Sequence, residues 1–280
     1  MPFASRYAVF GQPIAHSLSP RIHAMFGAQL GIDIDYRAIE ASYDDFAASL
    51  VQFAEDGGRG ANVTLPLKQE ALAVCGGVSE RARRCASVNT LIREGDMWRG
   101  DSTDGVGWLR DLRTRCAFDP AGRSCLLIGA GGAARAIAFA LADAGAKSLS
   151  ITNRTFARGD VLAQAVDTLV RSNTIAWDEL DSAGSFDLVI NATAAGHARV
   201  ALDLPDTLVS PATLAYDLSY GEAAAAFLIW ASTRGARAGD GLGMLVEQAA
   251  ESFAIWHGAT PDTAPVYAAL RARTAARDGD

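Results

Sequence analysis

Cysteine and histidine are both scarce in this chain, and the few present are badly placed for the chemistry they usually serve. The four cysteines, Cys75, Cys85, Cys116 and Cys125, form no CxxC pair and are too few to staple a small fold, so they read as reduced thiols. The four histidines, His16, His23, His197 and His257, include no HExxH pair, and no metal site is expected. Positive charge is in deficit: 25 Lys and Arg stand against 32 Asp and Glu, for a net charge of -7. The basic residues are scattered and form no stripe that would neutralise a nucleic-acid backbone or an anionic bilayer, so neither partner is expected. No apolar run reaches the ~18 residues of a spanning helix, and residues 1–11 hold a single arginine and no leader-like stretch. These absences leave a cytoplasmic protein acting on a small molecule.

What is plentiful is apolar sequence. Half of the 280 residues are hydrophobic, enough for a substantial core and for about two domains. Residues 7–10 read as a short buried strand stopped by Gly11-Gln12-Pro13, and Ser19-Pro20 reads as a cap and first helical residue opening a helix to Leu30. A strand near 35–38, a helix near 43–54 and a strand at 60–63 follow. Helices are expected from Pro66 and near Glu80, then a hairpin pairing 89–93 with 97–100. The pattern restarts with a helix at 107–115 and an apolar strand at 124–128. Strands at 148–152, 187–191 and 214–218, separated by helical segments, give the rhythm of a doubly wound parallel sheet. Past Gly243 the chain reads as helical. The expected fold class is therefore α/β, with two α/β domains. The expected boundaries are a substrate domain over 1–104, a Rossmann-type dinucleotide-binding domain over 105–240, and helices over 241–280 returning to the first domain.

The segment Gly129-Ala130-Gly131-Gly132-Ala133-Ala134 follows an apolar strand and opens an alanine-rich helix. Glycine at 129 permits a tight turn, Gly131 lets the backbone approach a pyrophosphate, and Ala134 allows close helix–sheet packing, with the helix N-terminus facing the anion. A glycine-rich turn holding nothing, or another nucleotide, is the alternative. One βαβ unit later come Asn153, Arg154 and Thr155, with Arg158 a turn beyond, where a carboxylate for a ribose 2′-hydroxyl would be needed for NAD. No acid stands there. The two arginines suit a 2′-phosphate instead, which points to NADP(H) unless they are merely solvated surface charges.

Polar residues concentrate at strand ends in the first block, where an open α/β sheet presents them to a ligand. Ser17 and Ser19, with a helix N-terminus, make a cradle for a carboxylate, although Ser19 would also serve as a plain cap. Lys68 falls in the first turn of a helix, where the macrodipole disfavours a cation, and this eases loss of its proton. Asp104, in Ser102-Thr103-Asp104-Gly105, either caps the next helix or holds Lys68 in place. Asn89 adds an amide able to bind neighbouring hydroxyls. An exposed lysine and a capping aspartate are the plain alternatives.

In chain order, HSLSP (16–20), GANVTLPLK (60–68), ASVNTL (86–91), STDGVG (102–107), GAGGAA (129–134), NRTFAR (153–158), INATAAG (190–196), YDLSYG (216–221) and DGLGMLVEQA (240–249) closely resemble the shikimate dehydrogenase family, from about Tyr7 to Gly258. The resemblance implies NADPH-dependent reduction of 3-dehydroshikimate to shikimate, a step of aromatic amino-acid biosynthesis, with substrate held between two α/β domains. It implies a catalytic pair, Lys68 and Asp104, and carboxylate-binding hydroxyls on Ser17, Ser19 and Thr64. It implies contacts to the ring hydroxyls from Asn89, Asp104 and Gln248, with Lys68 also binding substrate and a further substrate contact from Tyr220. For NADP(H) it implies Gly129, Ala130, Gly131, Gly132, Ala133, Asn153, Arg154, Thr155, Arg158, Thr193, Leu218 and Gly241, with Glu80 in addition. A monomer or homodimer is expected. Three departures stand out: STDG replaces the usual NTDG, ASVNTL the usual GAVNTL, and Ala24 the usual asparagine after His23. A quinate or aminoshikimate dehydrogenase and an idle binding protein on the same fold are the rivals; methylene-tetrahydrofolate dehydrogenases do not account for the paired serines or the Gln248 string.

Overall fold

The apolar runs pair into two separate sheets. In the computed structural model, which describes residues 5–277 and side chains through Thr274, the first sheet has six strands. Its elements are β1 (Ser5–Gly11), α1 (Ser19–Leu30), β2 (Ile34–Glu40), α2 (Phe46–Glu55), β3 (Gly58–Val63), α3 (Lys68–Ala73), β4 (Gly77–Val78), α4 (Glu80–Cys85), β5 (Thr90–Glu94) and β6 (Met97–Asp101). The order is β2-β1-β3-β5-β6-β4. The first three strands are parallel, and the β5–β6 hairpin adds an antiparallel extension. The sheet is thus mixed, because a hairpin reverses direction without the long crossover that parallel pairing needs.

β1 shows why its sequence is apolar throughout. Ala8 and Phe10 join the core formed with Phe46, Leu50, Phe53 and Trp98, whereas Tyr7 and Val9 join a second cluster with Ile14 and Tyr36. Both faces are buried, so the period-two alternation that marks a half-exposed strand is missing.

The second half of the chain begins with α5 (Asp104–Thr114) and continues through β7 (Ser124–Ile128), α6 (Gly132–Asp143), β8 (Ser148–Thr152), α7 (Phe156–Val166), β9 (Ser172–Thr174), β10 (Leu188–Asn191), β11 (Leu214–Asp217), α8 (Glu222–Ser232) and β12 (Arg237–Gly239). It ends with α9 (Leu242–His257) and α10 (Thr263–Arg277). The sheet order β12-β11-β10-β7-β8-β9 is parallel at every pairing, and the chain reverses direction of travel between β7 and β10. This is the doubly wound arrangement, whose ligand sites lie at the carboxyl ends of the strands beside the reversal.

The internal contacts divide the described residues into one unit of 5–107 with 246–269 and a second of 108–245 with 270–277. Most of α9 therefore belongs to the first unit. There Trp256 donates its indole N–H to the Leu91 carbonyl at 3.0 Å and lies where a side chain on Gly60 would otherwise be. Gly107 likewise lets α5 approach α9, since a Cβ there would meet the backbone of Gln248. The short strands β4, β9 and β12 are additions to the expected set. No helix among the described residues is long and apolar enough to cross a membrane.

His23 is fully buried in the first unit, stacked on Tyr36 with ring centroids 4.2 Å apart. Burial, aided by His257 nearby, holds its pKa down to about 3. The unfolded chain takes up a proton near pH 6.5 that the folded His23 refuses, so this contribution to stability is present above pH 6.5 and is lost as pH falls toward 3. At about pH 5 the loss is about 2 kcal/mol relative to about pH 7.5. Urea unfolding at the two pH values is expected to show this difference, and His23→Phe to reduce it; an unchanged difference in the variant would refute the assignment.

Candidate active site

In the first unit the fold brings together four of the eight residues singled out for substrate, Lys68, Asn89, Asp104 and Gln248. Lys68 is the first residue of α3 and Asp104 the first of α5. A cation is disfavoured at the one position, while a carboxylate is favoured at the other. They meet: Lys68 Nζ lies 2.5 Å from Asp104 Oδ2, with side chains 14% and 5% exposed. Such shielding makes the charge-assisted bond a geometric constraint on both groups, unlike a surface ion pair.

Asn89 sits behind this pair and is itself buried. Its Nδ2 donates to Asp104 Oδ1 at 2.8 Å, to Thr103 Oγ1 at 2.9 Å and to Gln248 Oε1 at 3.3 Å. Its Oδ1 accepts from the Thr103 amide at 2.8 Å and from Thr90 Oγ1 at 3.0 Å. Further in, Asn62 Nδ2 donates to Thr90 Oγ1 at 3.3 Å and to Ser252 Oγ at 2.9 Å, and Tyr36 donates to Asn62 Oδ1 at 2.8 Å. Burial pushes the Tyr36 hydroxyl well above its ordinary pKa, so it acts here as a neutral donor. Asn62, Thr90, Thr103 and Ser252 were not among the residues expected from sequence. Asn62, Thr90 and Thr103 fall inside the quoted strings without any feature that assigns them a role, and Ser252 is a lone polar residue on an apolar helix.

Thr64 directly follows β3, and Ser17 and Ser19 lie in the loop and at the helix start beyond β1, its neighbour in the sheet. The capping roles of the two serines differ from expectation. Ser19 is already within α1, the cap residue is Leu18, and Ser17 Oγ accepts the Ser19 amide at 3.3 Å. The Ser19 hydroxyl is therefore not explained by capping. Among the departures, Ala86 takes a left-handed φ of 47° at the end of α4, at a cost of about 1 kcal/mol relative to glycine. Ser87 and Ser102 are buried with hydroxyls that have no protein partner.

The second unit holds the glycine turn. Gly129, at φ 116°, ends β7, and Gly131 caps α6. A side chain on Gly131 would meet nothing within 4 Å, so the backbone there is open to an incoming anion at a helix start. At the end of β8, Asn153 Nδ2 donates to the Thr155 carbonyl at 2.8 Å. Arg154 and Arg158 are exposed, and among the described residues neither pairs with a carboxylate. Two uncompensated guanidinium groups beside a phosphate-type turn fit a phosphorylated ribose.

At the ends of β10 and β11, Asn191 Nδ2 donates to Asp217 Oδ2 at 2.7 Å, Thr193 Oγ1 donates to Asn191 Oδ1 at 2.8 Å, and the Ser219 amide donates to Asp217 Oδ1 at 2.7 Å. Burial pushes the Asp217 carboxyl up despite these bonds. The cluster fixes Thr193 and Leu218 on adjacent strands. Gly241 packs directly on the Leu218 backbone, where a Cβ would collide. Tyr220 is partly buried, and burial pushes its hydroxyl up. Glu80 lies in the first unit, exposed and paired with Arg83.

The folds and these two polar sites define a two-domain, dinucleotide-binding α/β protein. The family described as "Shikimate dehydrogenase substrate binding domain" matches residues 9–91, "Shikimate / quinate 5-dehydrogenase" matches 114–219, and "Shikimate 5'-dehydrogenase C-terminal domain" matches 241–271. A shikimate dehydrogenase (NADP(+)) of Xanthomonas euvesicatoria pv. vesicatoria (strain 85-10) is 55% identical over 274 residues, 97% of either chain. Among solved structures, an Ael1 enzyme from Pseudomonas putida is similar with a TM-score of 0.88 at 40% identity, covering 95% of this chain and 98% of its own. Shikimate 5-dehydrogenase from Thermus thermophilus, in complex with NADP(H) and shikimate, is similar with a TM-score of 0.84 at 34% identity over 96% of this chain and 99% of its own. This chain belongs to the shikimate dehydrogenase family.

Removing the Asn89 side chain takes a partner from Asp104 Oδ1 and from the Thr103 amide in a buried setting. Asn89→Ala is expected to lower stability by about 2–4 kcal/mol in urea unfolding. A loss near zero would mean that the cluster is not held as described.

Proposed function

We propose that this protein catalyses the reversible NADPH-dependent reduction of 3-dehydroshikimate to shikimate, a step toward the aromatic amino acids. The observation that carries the reading is the shielded Lys68–Asp104 pair, held by Asn89 within reach of Gln248. NADPH supplies the hydride that reaches the ring ketone. Lys68 delivers the proton to the resulting oxygen, and Asp104 aligns the ammonium and accepts a hydrogen bond from a ring hydroxyl. Ser17, Ser19 and Thr64 hold the substrate carboxylate. Asn89 and Gln248 complete the hydroxyl contacts, with Tyr220 as a further one. Residues 1–104 form the substrate portion in this reading, 105–240 the nucleotide portion, and the helices of 241–280 bring Gln248 to the first.

On the nucleotide side, the amides of Gly129, Ala130, Gly131, Gly132 and Ala133 receive the pyrophosphate. Asn153, Arg154, Thr155 and Arg158 receive the 2′-phosphate, and Thr193, Leu218 and Gly241 line the nicotinamide side, with Glu80 an additional contact. The working form is a cytoplasmic monomer or homodimer.

The direct test is oxidation of shikimate, then quinate, with NADP+ and with NAD+, followed at the nicotinamide absorbance. Turnover confined to quinate would overturn the substrate assignment. Lys68→Ala is expected to lower kcat by about 10²–10⁴-fold with NADP+ affinity unchanged, and near wild-type turnover would remove Lys68 from the mechanism. Replacing both Arg154 and Arg158 with serine is expected to raise KM for NADP+ at least about tenfold while leaving that for NAD+ much as it was, since each charge-assisted phosphate bond contributes about 1.5–3 kcal/mol. Equal effects on the two nucleotides would argue against a 2′-phosphate site.

A further inference from the structure

Arg81, on α4, has no part in the contacts proposed above, yet its guanidinium is the centre of a partly buried ion network. Nε donates to Asp101 Oδ1 at 2.7 Å and Nη2 to Asp101 Oδ2 at 2.9 Å, a two-pronged grip on one carboxylate. Nη1 reaches Glu251 Oε1 on α9 at 3.1 Å. Asp101, only 6% exposed, also takes Ser79 Oγ at 2.5 Å and the backbone amide of Ser102 at 2.7 Å on Oδ1. Burial alone would raise the Asp101 carboxyl, but the bonds from Arg81 and Ser79 bring it below its ordinary value. It is held ionised, as a four-donor anchor.

What this anchor holds is the start of the turn leading to Asp104. The Asp101 carboxylate fixes the Ser102 amide, and its main-chain carbonyl accepts the Asn89 amide at 3.0 Å. The next amide in the turn, that of Thr103, is fixed by Asn89 Oδ1. On the other side of Arg81, Glu251 stands on the same helix as Gln248 and Ser252, the two α9 residues that bond into the Asn89 cluster. One guanidinium thus joins the two segments whose side chains converge on Asn89. Ala82 and Cys85, both buried, give α4 contacts that do not involve Arg81.

We infer that Arg81 is a positioning residue for the Lys68–Asp104 pair, setting the 101–104 turn through Asp101 and the α9 face through Glu251. The inference rests on that pair being the reacting one. A planar, two-pronged donor is needed for this, and lysine does not reproduce it. Misplacement of a reacting group by about 1 Å is enough to slow the chemical step by about 10²-fold without removing any group that touches substrate.

The test compares Arg81→Ala and Arg81→Lys with the wild-type enzyme in shikimate oxidation, with the urea midpoint of each recorded. Arg81→Ala is expected to lower kcat about 10- to 100-fold with KM for NADP+ unchanged, and added guanidinium ion is expected to restore part of kcat in this variant alone. Should Arg81→Ala fail to fold, Arg81→Lys, which keeps the charge but not the fork, carries the test with an expected fall in kcat of about threefold or more. Folded variants with wild-type kcat would overturn the inference, as would a loss that guanidinium leaves untouched in folded Arg81→Ala. Wild-type turnover on shikimate and its loss in Lys68→Ala, measured alongside, test the underlying reading separately.

Discussion

The buried amide of Asn89 is the constraint on which the substrate unit depends. A primary amide offers two donor hydrogens and an acceptor oxygen, and in a dry setting each must be met. Here the donors are shared among Asp104, Thr103 and Gln248, and the acceptor takes the Thr103 amide and Thr90. Those partners come from β5, from the turn before α5, from α5 itself and from α9. A shift of any of these segments would break a bond to the same buried amide, so a packing problem and a geometric problem have the same solution. The Lys68–Asp104 pair is then set from behind: Asp104 is oriented on one oxygen by Asn89, and Lys68 is drawn to the other.

The surrounding core serves this arrangement. Gly60 and Gly107 have no side chain where α9 comes close, and those two absences admit Trp256 at one site and the Gln248 backbone at the other. In the second unit the same logic is simpler, because a doubly wound sheet places strand ends together by topology. Asp217 and Asn191 bond to each other across neighbouring strands and hold the segments that follow.

Legibility in the sequence followed the range of the interactions. The glycine turn, the strand before it and the helix after it lie within a few residues, so local spacing revealed them. Lys68 is visible as a cation at a helix start, Asp104 only as a carboxylate that could equally be a cap, and the family strings give the two a shared role. Strands such as Ser172–Thr174 and Gly77–Val78 escaped because they are too short or too polar to show a period. The cluster of Asn62, Thr90 and Ser252, and the Arg81–Asp101–Glu251 network, escaped for a different reason. Their partners are far apart in the chain, and nothing local distinguishes Ser252 from any small residue on an apolar helix. The exchange of roles between Ser17 and Ser19 turns on where the first helical residue falls, a shift of one position that composition does not encode.

The exposed arginines at 154 and 158 also shape the charge of the surface around them. This chain has a net charge of -7, so at long range it repels any anion, a phosphorylated nucleotide included. At physiological ionic strength that repulsion fades beyond about 8 Å, and within that distance only nearby charges are felt. Two guanidinium groups, one just past β8 and one on α7, with no carboxylate on them among the described residues, therefore form a short-range positive beacon on an otherwise unwelcoming surface. Dilute buffer strengthens the beacon and the background repulsion together, whereas moderate salt silences the background first.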